Sequence, residues 1–303
     1  MTSREAVFGS PWPELAHVAP DAAQLSPFSL GAAAIESVPD ASLARLVVAA
    51  PPGTLERRYT LAHGLRALAS GGELLVLALK DKGGSRLRKE LESLGCAVVE
   101  TARRHHRICV VRRPETPVGL ADAIREGAPR LVETLRLWSQ PGLFAWDRLD
   151  PGSALLLDPA PDFSGRGADL GCGVGVLSRA VLASPNVAAV TLIDLDRRAI
   201  EAARRNIADA RADFLQFDLR AAVPEVKDLD FVIMNPPFHE GGGEDRYLGQ
   251  AFIATAAAML KRGGVCRLVA NIALPYEAIL QQHFATVTPL ARAKGYKVFE
   301  ARK

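Results

Sequence analysis

Gly167-Ala-Asp-Leu-Gly-Cys-Gly-Val-Gly175, followed by a helical pattern over 176–182, is the stretch on which the reading of this chain turns. Its first residues are strand-like and deliver Asp169 to a turn with glycine at 171, 173 and 175. A side chain in such a turn would hold a ligand away from the backbone at the following helix N-terminus. A dinucleotide loop would need its third glycine at position 176, which is Val176. The observed G-x-G-x-G spacing, with an aspartate two residues ahead of it, suits a cofactor without a pyrophosphate. S-adenosylmethionine is one: its amino-acid end carries an ammonium, and Asp169 is placed to face it. Gly171, Cys172, Gly173 and Gly175 then form the cofactor cradle.

Downstream, two further strands end in carboxylates. The strand over 190–194 delivers Asp194, 23 residues after Gly171, where a carboxylate accepts both hydroxyls of a ribose. Asp196 reads as the N-cap of a helix over 197–207. The strand over 213–217 delivers Asp218, positioned to accept from an adenine amino group.

The fourth strand runs into Met234-Asn-Pro-Pro-Phe-His239. Two prolines stiffen the backbone after Asn235 and leave its carbonyls outside any ladder. Methylating a conjugated amine needs such a device, because the nitrogen lone pair is delocalised into the ring. Hydrogen bonds from the amine to the Asn235 side chain and the Pro236 carbonyl would aim it, and would strengthen as the nitrogen becomes tetrahedral and positive. Pro237 completes the rigid turn, and Phe238 offers a ring for an unstacked base. His239 either takes up the proton or is a turn histidine. An ordinary turn before a helix is the alternative for Asn-Pro-Pro, weakened by the Gly turn and carboxylates that precede it.

Working outward, the landmarks recur. Leu46-Val-Val-Ala-Ala-Pro-Pro52, a helix over 55–70, Gly71-Gly72 and a strand over 73–79 match Phe231-Val-Ile-Met-Asn-Pro-Pro237, a helix over 247–260, Gly263-Gly264 and a strand over 265–270. In each copy a helix and two closing strands follow. The order implies duplication of one α/β unit. The copies differ where chemistry would sit: Ala50 faces Asn235, and Gly53 faces Phe238. The first copy also lacks a Gly-rich loop, so it reads as degenerate and truncated. The expected domains are 1–135 and 141–303, with a partly helical connector over 114–140.

Composition narrows the classes. About half the 303 residues are apolar (49%), enough for two cores, and no run suits a membrane span or signal segment. A cytoplasmic, monomeric protein is expected. Four scattered cysteines show no metal spacing, and His105 and His106 fall in one strand-like run facing opposite ways, so no metal is expected. Between Arg57 and Arg113 thirteen Lys and Arg stand against five Asp and Glu. That excess could attract a phosphate backbone through Arg103, Arg104 and Arg107, or be an Arg-rich solvated face.

Four stretches together resemble a known family: Pro141-Gly-Leu-Phe-Ala-Trp-Asp-Arg-Leu-Asp-Pro-Gly-Ser153, Asp169-Leu-Gly-Cys-Gly-Val-Gly-Val-Leu-Ser178, Asn235-Pro-Pro-Phe-His-Glu-Gly241 and Val269-Ala-Asn-Ile-Ala-Leu-Pro-Tyr276. They are similar to bacterial ribosomal RNA guanine-N2 methyltransferases with tandem Rossmann-like methyltransferase domains, the small-subunit (16S) type above all. The resemblance implies an α/β fold whose C-terminal domain is a seven-stranded, mostly parallel sheet with helices on both faces and an antiparallel last strand. It also implies N2-methylguanosine as product, ribosomal RNA or the small subunit as partner, and an N-terminal domain that helps engage RNA. The shorter first domain departs from the pattern and bears on the RNA target. Rival readings are methylation of adenine N6 or of a protein glutamine, whose enzymes commonly carry Tyr or Trp where this chain has Phe238, and a non-catalytic RNA-binding assembly factor.

Overall fold

The computed structural model describes residues 5–158, 162–237, 239–240, 243–244 and 246–303, with side chains described outside 238–247. The chain forms two compact units, Met1–Pro129 with Gln140–Gly142, and Arg130–Ser139 with Leu143–Lys303.

In the first unit, β1 (Glu5–Phe8), β2 (Ala23–Gln24), β3 (Leu43–Ala49), β4 (Leu68–Leu79), β5 (Val98–Arg103) and β6 (His106–Arg112) form one sheet in the order β2-β1-β3-β4-β6-β5. Its helices are α1 (Thr54–Ala67), α2 (Ser85–Ser93) and α3 (Leu120–Gly127). Alternation along β3 sorts the faces: Leu46 and Val48 join the core beneath the helices, while Val47 joins Leu15 and Ala16 from the chain after β1.

The second unit opens with a hairpin of β7 (Arg130–Val132) and β8 (Leu137–Ser139), then α4 (Pro151–Leu156), β9 (Gly165–Leu170), α5 (Val176–Val181), β10 (Val187–Asp194), α6 (Arg197–Asn206), β11 (Ala212–Gln216) and β12 (Leu229–Met234). A small hairpin of β13 (His239–Glu240) and β14 (Gly243–Glu244) leads to α7 (Arg246–Met259), β15 (Leu260–Asn271), α8 (Tyr276–His283), β16 (Thr286–Ala293) and β17 (Tyr296–Arg302). The seven-stranded sheet has the order β11-β10-β9-β12-β15-β17-β16, parallel except for β17, which runs antiparallel to both neighbours. Along β12, Val232 and Met234 pack under α7 and α8, whereas Phe231 and Ile233 pack against the face that carries α4, α5 and α6. Both faces are covered, as a parallel sheet requires. Gly167 on β9 is obligatory: a Cβ there would lie 2.2 Å from the Phe231 ring, which stacks on Phe163 at 4.4 Å.

The duplication extends to the register. Glu5 pairs Arg45, Arg45 pairs Glu73, and Glu73 pairs Arg112. In the second sheet Gly167 pairs Phe231, Phe231 pairs Val265, and Val265 pairs Arg302. Strands β1 and β2 are thus short remnants of β9 and β10. The truncation removes the counterpart of the edge strand β11 and the helices that follow β9 and β10, rather than the first strands themselves.

Three local expectations change. The connector over 114–140 contains α3 but also the β7–β8 hairpin, whose turn carries Arg136 at φ +51°. His105 lies in the β5–β6 turn, where Arg104 and His105 both have positive φ (48° and 61°), while His106 starts β6. That two-residue hairpin lacks the Asn-Gly chemistry that would announce it. The stretch 68–72 joins β4 instead of ending α1, Leu68 pairing with Leu43.

The double proline of the first copy is sealed. Arg57 of α1 is fully buried, donates to the carbonyls of Pro51 (3.0 Å) and Pro52 (2.8 Å), and pairs with Glu90 of α2 at 2.6 Å. Gly83, at φ +97°, makes room, since a Cβ would come within 2.1 Å of the guanidinium. Arg57→Ala strands a buried carboxylate and two carbonyls. The expected cost is about 3–5 kcal/mol, read as a lower urea midpoint; an unchanged midpoint would contradict the pairing.

Candidate active site

Strands β9 and β12 are parallel neighbours in register, Leu170 against Met234, so the segments that leave their C-terminal ends emerge at the same edge of the sheet. Here the strand order reverses, with β10 and β11 to one side and β12 to the other, which is where open α/β sheets bind ligands. The Gly turn and Asn235-Pro236-Pro237 lie side by side: a Cβ on Gly171 would come 3.2 Å from the Phe252 ring and 3.8 Å from Pro237 Cδ.

The turn is anchored to the tip of β10. Gly171 and Cys172 donate their N–H groups to the Ile193 carbonyl at 2.8 and 3.0 Å, and Gly173 donates to Asp194 Oδ2 at 2.9 Å. Gly171, Gly173 and Gly175 all take positive φ, 72°, 53° and 87°. Gly175 also gives space to Ile207, 2.9 Å from its virtual Cβ, whereas none of the described residues lies within 4 Å of a Cβ on Gly173. Cys172 is buried, and its thiol is pushed well above its ordinary value by desolvation. Asn206 of α6 holds the outer side, its amide donating to the carbonyls of Val174 and Trp138 at 2.9 Å.

Asp169 is wholly buried. Its Oδ2 accepts from the Ser178 hydroxyl (2.7 Å) and backbone N–H (3.1 Å), while Oδ1 has no partner among the described residues. Burial pushes its carboxyl up to about 7, against the pull of the Ser178 donors and with help from the charge of Asp194. Asp194 accepts from Gly173 on Oδ2 and from Asp196 N–H on Oδ1 (2.9 Å), and burial raises it to about 6. Each of its oxygens has a second lone pair for a hydroxyl donor. Asp196 caps α6, accepting from Arg198 N–H at 2.9 Å, and pairs with the Arg198 side chain.

Asp218 follows β11 beside Asp194, since Phe217 N–H donates to the Asp194 carbonyl at 2.9 Å. Both its oxygens accept from the Arg220 guanidinium (2.8 and 2.9 Å), which holds its carboxyl below the usual range. The sequence did not announce Arg220 as its partner, so any adenine contact is shared with that pair. Asn235 donates its amide to Asp150 Oδ2 and Ser153 Oγ, both at 2.9 Å. Asp150 and Ser153 begin α4 and were missed as site residues; the Asp-Pro start of that helix was legible, the contact across 85 positions was not. Phe238 and the His239 side chain lie outside the described residues. Arg103, Arg104 and Arg107 belong to the other unit, where Arg103 donates to the Glu14 carbonyl (3.1 Å), Arg104 pairs with Glu14 (2.6 Å) and Arg107 with Glu100 (3.1 Å).

The donor set fits the cofactor expected from the sequence. A buried carboxylate oxygen without a partner suits an ammonium, the open side of Gly173 allows close approach, and Asp194 offers acceptors for a ribose.

Comparison with known proteins agrees with this arrangement. The methyltransferase small domain family matches residues 134–300. A Pseudomonas paraeruginosa protein named ribosomal RNA small subunit methyltransferase C is 33% identical over 256 residues, covering 83% of this chain and 77% of the relative. The Hahella chejuensis protein of the same name is 36% identical over 180 residues, 58% of this chain and 52% of its own length. Among solved structures, the T. thermophilus 16S rRNA N2 G1207 methyltransferase in complex with AdoMet and guanosine matches with a TM-score of 0.75 and 28% identity, over 89% of this chain and 76% of that one.

To receive an ammonium and hydroxyl donors, as the fit to the cofactor would have it, both raised carboxyls would have to ionise. Affinity for S-adenosylmethionine should therefore be full above about pH 7 and fall as the pH drops through about 7 and 6. Calorimetry across that range checks it, and a flat profile would contradict it. Asp194→Asn should bind roughly tenfold more weakly or worse.

Proposed function

We propose, given that the chain belongs to the methyltransferase small domain family and to its ribosomal RNA small subunit methyltransferase C branch, that it methylates the exocyclic N2 amine of a guanosine in ribosomal RNA. The observation that carries this is the adjacency of the Gly171–Gly175 turn and Asn235-Pro236-Pro237 at the C-terminal ends of β9 and β12. S-adenosylmethionine supplies an electrophilic methyl group there.

The chain's own residues do the rest. Asp169 receives the ammonium of the cofactor's amino-acid end, Gly171, Cys172 and Gly173 give it a backbone surface, and Asp194 receives the ribose hydroxyls. Asp218, tied to Arg220, faces the adenine amino group. The Asn235 carbonyl oxygen and the Pro236 carbonyl accept the two protons of the guanine amine and turn its lone pair toward the methyl group. These acceptors favour the cationic, tetrahedral nitrogen over the planar one, so they lower the barrier more than they tighten binding. The proton is lost once the nitrogen carries the methyl group, when it is acidic, so no strong base is needed. Phe238 and His239, whose side chains lie outside the described residues, keep the roles the sequence suggests: a ring for the unstacked base, and a proton acceptor or a turn histidine.

Small-subunit 16S RNA as the substrate, the cytoplasm as the setting and action as a monomer belong to the same reading. No helix among the described residues is long and apolar enough to cross a membrane. The first unit, a degenerate methyltransferase-like domain, engages RNA through Arg103, Arg104 and Arg107. Their present partners are the exposed Glu14 carboxylate and its backbone carbonyl and the half-buried Glu100, pairs of low strength that phosphates can displace.

The test is to incubate the protein with labelled S-adenosylmethionine and small subunits, large subunits or free ribosomal RNA, then digest the RNA and identify the nucleoside. Label in N2-methylguanosine is expected; label in N6-methyladenosine, or only in protein, would overturn the assignment. Asn235→Ala should abolish turnover and leave cofactor affinity nearly intact, which calorimetry on the same variant reads. Reversing the charges at Arg103, Arg104 and Arg107 should weaken RNA binding and flatten its salt dependence by about 0.7–0.9 in log–log slope per arginine engaged. An unchanged slope would remove these arginines from the RNA contact.

A further inference from the structure

Asn235 does not stand alone at the end of β12. Its side-chain nitrogen lies 2.9 Å from Asp150 Oδ2 and 2.9 Å from Ser153 Oγ. Asp150 Oδ2 also accepts from the Ser153 backbone N–H at 2.7 Å, as the N-cap of α4 with Pro151 in the first helical position. Asp150 and Ser153 are themselves buried, at 9% and 7% exposure.

The chemistry of this cluster settles which way the amide faces. A carboxylate oxygen that already takes a backbone N–H is an acceptor, so the Asn235 atom beside it must be the NH2 group. That group has two protons and two acceptors, both at hydrogen-bond distance, so both donors of Asn235 are engaged within the protein. The trigonal geometry of the amide sends its carbonyl oxygen away from them. We infer that Asp150 and Ser153 are positioning residues that make Asn235 an obligate hydrogen-bond acceptor toward the amine to be methylated.

An Asn side chain free to rotate would present oxygen or nitrogen with nearly equal ease, because the two ends have the same shape. With nitrogen forward it would repel an amine and welcome a ring carbonyl, such as the oxygen on the opposite side of guanine. Asp150 is decisive because it accepts and cannot donate while ionised; Ser153, which can do either, follows it. The inference rests on the reading of Asn235 as the group that receives the amine, and it adds a selection rule: the site takes donors and rejects acceptors at that position.

The cap and the orienting contact can be separated by substitution. Asp150→Ser keeps a good N-cap for α4, but the shorter side chain no longer reaches Asn235. Asp150→Asn keeps an oxygen for both Ser153 N–H and Asn235. Ser153→Ala leaves the backbone N–H that Asp150 caps and removes only the hydroxyl. Turnover of Asp150→Ser should fall roughly tenfold to a hundredfold, with KM for S-adenosylmethionine changed less than about twofold, and Asp150→Asn should recover most of the loss. Ser153→Ala should fall less, with the same split between kcat and KM.

A second readout needs no turnover. In protein labelled with 15N-asparagine, the Asn235 side-chain NH2 signals, assigned by their loss in Asn235→Asp, should exchange slowly with solvent in the wild type. They should exchange at least tenfold faster in Asp150→Ser than in Asp150→Asn, given the two buried bonds. Equal exchange in all variants would overturn the inference even if the wild type methylates guanosine. Slow exchange in a wild type that forms no N2-methylguanosine would keep the orientation and sink the guanine reading instead. A loss of kcat matched by an equal rise in KM for the cofactor, or no rescue by Asp150→Asn, would reduce the pair to a support of α4.

Discussion

Strands β9 and β12 leave the sheet side by side, and nearly everything at the site depends on that. Their register, Leu170 against Met234, brings a turn made for backbone approach alongside a rigid Asn-Pro-Pro segment. Transfer of a methyl group in line needs donor and acceptor within a few tenths of an ångström of one path, which suits elements fixed by a parallel ladder better than a flexible loop. The interior is packed to serve this alignment. Gly167 yields its side-chain space to Phe231, so that β9 and β12 approach with the Phe163–Phe231 stack between sheet and cover.

The two copies show which parts of such a unit are structural and which are functional. Both retain the sheet registers from the central strands to the antiparallel end. The first copy has lost the elements that hold a cofactor in the second: the helices after its first two strands and the edge strand beyond. A run from Leu15 to Ala22 covers the exposed face instead, packing on Val7, Val47, Leu77 and Ile108. Its double proline survives, but Arg57, held by Glu90, donates to both carbonyls and turns an open loop into a satisfied core contact. In the corresponding region of the second copy Gly249 stands on α7, where even a Cβ would run into the Tyr276 hydroxyl.

Electrostatics at the site obeys the same division between holding and reacting. Asp169, wholly buried, and Asp194, half-buried, are acids with raised pKa values, about 7 and about 6, because desolvation outweighs their few hydrogen bonds. Such groups are costly in the folded protein at neutral pH, and a ligand that brings an ammonium and hydroxyls relieves the cost. Asp196, Asp209 and Asp218 are acids of another kind, each held by an arginine two residues on. They shape local turns, and for Asp218 that pairing is part of its surroundings at the cofactor end.

Much was legible in the residues. The Gly turn, the strand-end carboxylates, the Asn-Pro-Pro segment and the repeat are local patterns or simple spacings, and local patterns survive in a one-dimensional record. The fold class comes from them, because alternating strands and helices with buried parallel strands admit few topologies. The β5–β6 turn was not legible, since Arg104 and His105 adopt positive φ without a residue type that demands it. Nor was the seal on the first double proline, which depends on where Glu90 of α2 lands, 33 positions from Arg57. The contact of Asp150 and Ser153 with Asn235 belongs with these. Hydrogen bonds reach about 3 Å and ask only that two groups meet; the chain order says which groups exist, while packing of α4 against the sheet decides that these do. Residue types alone thus determined the chemistry available here, and the tertiary structure decided the direction in which Asn235 offers it.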